Sequence, residues 1–217
     1  MATAFTNTQK SKVSEKSFPF YVISMKFIGI DLAGSEKRET GFCILQGKKV
    51  KTKILHSNKE IISETLSELQ GTHDKMVAID APLFLPLGRK TIESRGPHFR
   101  VCDLELRKMK IKFFPISLGP MRMLTKRGIA LREMLEDHGI KVLETYPGAV
   151  YDIFHVERND EKIKAWLKRI GIRIKPRLTR HELDAIACAL VAQAFSKSKA
   201  MAIGERSEGY MYLPRPE

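Results

Sequence analysis

At 217 residues the chain is long enough for one well-buried α/β domain and short for two. It is 43% hydrophobic and 29% charged, and no stretch approaches the roughly 18 consecutive apolar residues of a membrane helix, so a helical membrane protein is excluded. Thirty-eight Lys and Arg against 25 Asp and Glu leave a formal charge of +13, so the folded surface should attract polyanions, nucleic acid first among them.

Residues 1–24 are rich in Ser, Thr and Lys and carry one apolar run, Phe18 to Ile23, too short and too poorly flanked for a secretory signal. They read as a mobile leader, with Met25 an equally good start, and residues 25–217 read as a single domain. Cys43, Cys102 and Cys188 are widely spaced, with no C-x-x-C and no His at finger spacing. This argues against a disulfide framework or structural zinc, and a reducing, cytoplasmic home is expected.

The first buried strand is Phe27 to Asp31, an apolar run with an acid at its tip followed by Leu32-Ala33-Gly34. Gly41 to Gln46 reads as a second strand, and Gly47-Lys48 as the turn into a third, where Val50, Thr52 and Ile54 alternate with lysines. Ser57-x-x-Glu60 is a capping-box pattern, and Ile61, Ile62, Leu66 and Leu69 continue a helix to Gly71. Met76 to Asp80 repeats the strand-then-acid pattern before Ala81-Pro82. Residues 81–97 form a loop, Phe99 to Lys110 a helix, and Ile111 to Pro115 an ambiguous apolar stretch.

Pro120 to His138 reads as a helix feeding the strand Val142 to Thr145, whose acid Glu144 precedes a turn at Tyr146-Pro147-Gly148. Asn159 caps a helix closed by Gly171. From Arg158 to Arg180 the chain is densely basic. Thr179-x-x-Glu182 is a second capping box, opening a helix to about Lys197 that is apolar all round its middle and therefore buried. Gly209 to Leu213 is expected as a short edge strand.

Three strands that end in acids would place Asp31, Asp80 and Glu144 along one sheet edge, where open α/β sheets bind ligands. Asp184, one turn into the buried helix, must be neutralised, paired or metal-bound. The four carboxylates are the expected catalytic and metal-binding group. Such donors, with no Cys and at most one His, suit Mg²⁺ or Mn²⁺, and a pair of ions is expected. His181 shares the face of Asp184, although a His in a first helical turn is as readily a structural residue. Nucleic acid is expected to lie on Lys126, Arg127, Arg177 and Arg180; the competing reading is solvated surface charge.

Gly29-Ile30-Asp31-Leu32-Ala33-Gly34, Ile79-Asp80-Ala81-Pro82, Arg100-x-Cys102-Asp103 with Leu106-Arg107, Leu124-Thr125-x-Arg127-Gly128, Glu144-x-Tyr146-Pro147-Gly148 and His181-Glu182-Leu183-Asp184-Ala185 together resemble a family catalogued as a domain of unknown function and described as predicted nucleases of ribonuclease H fold. The resemblance implies a mixed sheet flanked by helices, with the first hairpin antiparallel and the later strands parallel. The last helix also looks like that of Holliday-junction resolvases, where a ligand three residues before the final Asp often completes the metal site; here that position is His181. A metal-dependent nuclease is the function expected. A non-catalytic nucleic-acid-binding module is the alternative, followed by an actin-like or sugar-kinase-like phosphate-binding protein, for which the chain is too short to hold two such domains.

Overall fold

A computed structural model describes residues 25–72 and 74–216, and the leader expected over residues 1–24 lies outside them. One seven-stranded mixed sheet runs through the molecule in the order β3-β2-β1-β4-β5-β7-β6. β1 (Lys26–Asp31) pairs antiparallel with β2 (Thr40–Gln46), which turns through Gly47, in the left-handed region at φ +61°, into β3 (Lys49–Leu55). On its other side β1 runs parallel to β4 (Met76–Asp80), and β4 parallel to β5 (Lys141–Thr145). This is the ribonuclease H-like arrangement that the resemblance implied.

The described helices are α1 (Asn58–Glu68), α2 (Val101–Lys108), α3 (Gly119–Glu136), α4 (Pro147–Ile153), α5 (Asp160–Arg169) and α6 (Arg180–Ser196). Both expected capping boxes form, Ser57 with Glu60 and Thr179 with Glu182. Glu182 also accepts from the Thr52 hydroxyl at 2.6 Å, which ties the start of α6 to β3. α4, α5 and α6 cover one sheet face, where Phe27, Ala78 and Leu143 meet Ala185, Cys188 and Trp166. α1 and α3 cover the other, against Ile28, Ile30, Val77 and Ile79.

Two elements differ from expectation, and a third, β6, has no counterpart in the sequence reading. Tyr146-Pro147-Gly148 does not make a turn but opens α4, with Pro147 supplying a preset φ and needing no donor in the first turn. β7 (Gly209–Pro214) is interior rather than an edge: it lies parallel to β5 through Glu144 and Met211 and antiparallel to β6 (Ala200–Glu205), the true edge. β6 has two Ala and a Gly among its residues and gives little strand signal. Ile111 to Pro115 belongs to no helix or strand.

α6 packs on β1 and β2 at backbone distance. A Cβ on Gly29 would sit 2.0 Å from the Ala185 carbonyl oxygen, and one on Gly41 would sit 2.0 Å from that of His181. The two glycines are what let α6 bring Asp184 and His181 down to the tip of β1.

Candidate active site

Side chains alternate between the faces of a strand, so register decides which acids meet. Asp31 is paired with Asp80, and Asp80 with Thr145. Asp31 and Asp80 therefore share the face that α6 covers. Glu144 is the partner of Ile79, one residue out of phase, and its side chain belongs with the opposite face. Of the three strand acids expected to converge, the structure sets Asp31 beside Asp80, while Glu144 approaches the same edge from the opposite face, near enough for its charge to act on Asp80.

Asp31 and Asp80 stand side by side across the β1–β4 pairing, close enough for Asp31 to act on the Asp80 carboxyl. Removal from water, followed by the charges of Asp31, Asp184 and Glu144, holds the Asp80 carboxyl well above the usual carboxylate range. His181 Nδ1 lies 2.6 Å from Asp31 Oδ2, and that hydrogen bond is the main reason its imidazole is more basic than usual. Asp184 is raised by burial, against the pull of Arg180 and Tyr151. Its Oδ1 accepts from the Tyr151 hydroxyl at 2.7 Å and its Oδ2 from Arg180 Nε at 2.8 Å.

Glu144 has a different partnership. Its Oε2 accepts from the Leu83 amide and from Arg100 Nη1, both at 2.7 Å, while Oε1 is buried without a hydrogen-bond partner. Burial pushes this carboxyl up and Arg100 opposes it. Arg100, 2% exposed, also grips Asp103 through Nη2 at 2.9 Å and Nε at 3.2 Å. Sequence reading gave Arg100 and Asp103 no role, although an Arg and an Asp three apart at a helix start is a visible sign of such a pair. Tyr151, the hydroxyl on Asp184, was missed outright.

The basic residues sort unevenly. Arg127 is buried, donating to Asn58 Oδ1 at 2.9 Å, to the Ala33 carbonyl at 2.8 Å and to the His56 carbonyl. It braces the turn after β1 against α1 and α3 instead of facing solvent as expected. Gly128 beside it lets α3 approach Pro82, whose carbonyl oxygen would lie 2.9 Å from an added Cβ. Arg180 is held by Asp184, by the Arg158 carbonyl at 3.0 Å and by Asp160 at 3.4 Å. Lys126 is exposed and paired with Glu93, and Arg177 is exposed.

Above the ends of β4 and β5 lies a cavity of about 230 Å³, bordered by Asp80, Arg100, Glu144 and Tyr146 and walled by Phe113, Ile116, Met121 and Leu124. The loop beside it, residues 81–100, is drawn together by Arg89, which donates to the carbonyls of Thr91, Ile92, Gly96 and Pro97. Glu208, just before β7, fastens that loop by accepting from the Leu87 and Val101 amides, each at 2.6 Å.

Three carboxylates and an imidazole at one edge, with the neighbouring Cys188 thiol kept protonated by burial and by their charges, are a donor set suited to oxygen-seeking divalent ions. Among the described residues no three His, Cys, Asp or Glu side chains already stand as a cation cage. An ion held there would favour the ionised form of Asp80 and compete with Arg180 for Asp184.

No curated protein matches the chain significantly. Among solved structures, RuvC of Thermus thermophilus in complex with a Holliday junction substrate is similar at 15% identity and a TM-score of 0.44, covering 80% of this chain and 96% of that one. A second Thermus thermophilus RuvC structure is similar at 17% identity and a TM-score of 0.40, with the same coverage. No helix among the described residues is long and apolar enough to cross a membrane. The model of the protein family of unknown function DUF429 matches residues 29–208, and the chain belongs to that family.

Proposed function

We propose that the protein is a metal-dependent nuclease acting on phosphodiester bonds of nucleic acid, with Asp31, Asp80 and Asp184 as its central carboxylates and His181 beside them. The observation that carries this reading is the meeting of three acids at one sheet edge of a chain whose net charge is +13. Repulsion among them is relieved by a cation, and the basic remainder suits a polyanion.

Mg²⁺ or Mn²⁺, as a pair, would supply an activated water and stabilise the departing oxygen. The chain's own residues set the stage for that chemistry. His181 orients Asp31 through Nδ1, and the Tyr151 hydroxyl fixes one oxygen of Asp184. Arg180, now closing the other oxygen of Asp184, is placed to turn toward a phosphate when that oxygen is needed. Lys126 and Arg177 are the outward cations assigned to the nucleic-acid backbone. Glu144, held by Arg100, is left out of the metal-binding group. A cytoplasmic setting fits this reading and the unpaired Cys43, Cys102 and Cys188.

The test is a panel of single-stranded, duplex, hybrid and branched substrates in Mg²⁺ or Mn²⁺, run beside Asp80→Asn and Asp184→Asn. Metal-dependent cleavage lost in both variants is the expected result. Tight binding without cleavage anywhere on the panel would favour the binding-module reading instead.

A further inference from the structure

The cavity beside Asp80 is out of character with the basic surface around it. Its walls are Phe113, Ile116, Met121 and Leu124, and Phe114 stands at its mouth 68% exposed. At about 230 Å³ it falls below the ~300–1,000 Å³ of sites for drug-sized ligands, and suits a single flat ring system. It is not wholly apolar. Glu144 is among the residues that line it, and its Oε1, covered from solvent, is left without a hydrogen-bond partner. The complement to that carboxylate is an N–H group on an otherwise apolar, stackable ring.

Position narrows the occupant further. Asp80 belongs at once to the acidic cluster and to the cavity border, so a ring seated there lies next to the place where a phosphate would meet the carboxylates. A polyanion carrying flat rings with N–H edges is nucleic acid. Its bases reach a recess of this kind only when they are out of the stack.

We propose that this cavity receives the base of one unpaired nucleotide, stacked against its aromatic and aliphatic walls and donating an N–H to Glu144. The substrate class is then a single strand, or a duplex with an extrahelical base adjoining the bond addressed. This rests on the nuclease reading for the position of the phosphate, but recognition of the base does not depend on cleavage.

The test uses the full chain in chelator and an oligonucleotide carrying one 2-aminopurine, whose fluorescence reports stacking. The base is presented in a single strand, extrahelically in a duplex, and fully paired. A change in emission in the first two contexts and none in the third is expected. Met121→Trp, which adds bulk to the cavity wall and replaces no carboxylate, should weaken binding of the unpaired base about tenfold; Phe114→Ala, at the exposed mouth, is the substitute if that variant fails to fold. An oligonucleotide with purine, which lacks an N–H on its ring edge, should compete about tenfold less well than one with adenine at the same site. Emission that responds alike in all three contexts, or is unchanged in the folded cavity variant, overturns the proposal. Equal competition by purine and adenine overturns the role of Glu144. Base binding without cleavage on the metal panel removes the nuclease reading alone, and cleavage without a base response removes the cavity proposal alone.

Discussion

At the scale of single residues, the acids of this protein divide into those that repel and those that are paired. Asp80 repels. Its raised pKa means the folded state holds a proton that the unfolded chain releases, so this contribution to stability falls as pH climbs from the ordinary carboxylate range through the raised value, and is level beyond it. Asp80→Asn should therefore melt higher than the wild type in chelator at neutral pH, by about 2–4 °C for each kcal/mol relieved, with the difference vanishing in acid. Thermal melts across pH check this; an equal difference at all pH values would count against the repulsion. Arg100 is the opposite case, since among the described residues it is the cation paired with both Glu144 and Asp103 in a buried setting. Arg100→Met should cost about 3–5 kcal/mol in urea unfolding, and Arg100→Lys should not restore it, because an ammonium cannot grip two carboxylates as a guanidinium fork does.

Among the elements, α6 matters most, and its placement depends on two missing side chains. Gly29→Ala or Gly41→Ala would drive a methyl into the helix backbone, so each should destabilise by about 3 kcal/mol or more and part Asp184 and His181 from Asp31. Urea unfolding measures the first effect. The second shows as loss of any metal-induced rise in melting temperature. Strand tips and helix caps were legible in the sequence because an apolar run that stops at an acid, or a Ser or Thr three residues before Glu, is a local pattern. The facing of Glu144 was not. β1, β4 and β5 are covered on both faces, so their residues are apolar on both and no alternation marks which side an acid will take. Likewise Arg127 sits in a basic stretch like any surface cation; only the tertiary fold presents it with the carbonyls of Ala33 and His56.

Over the whole molecule, the excess of basic charge makes any nucleic-acid affinity fall linearly on a log-log salt plot. Arg177→Ala should reduce that slope by about 0.7–0.9, whereas Arg127→Ala should leave the slope alone and lower stability, so titrations at several salt concentrations separate a phosphate contact from an internal brace. The order of the sheet also differs from the order of the chain. β7 slots between β5 and β6, and Glu208 just before it ties the Leu87 amide of the loop that flanks the cavity to the Val101 amide at the start of α2. Asp31, Asp80 and Asp184 all precede it. On a ribosome, the acids leave the exit tunnel before the piece that secures the loop beside them, so a newly made chain can gather its acidic edge while that loop is still unfastened. Fastening of that loop thus follows the acidic edge in order of synthesis, and it falls to the hairpin of β6 and β7.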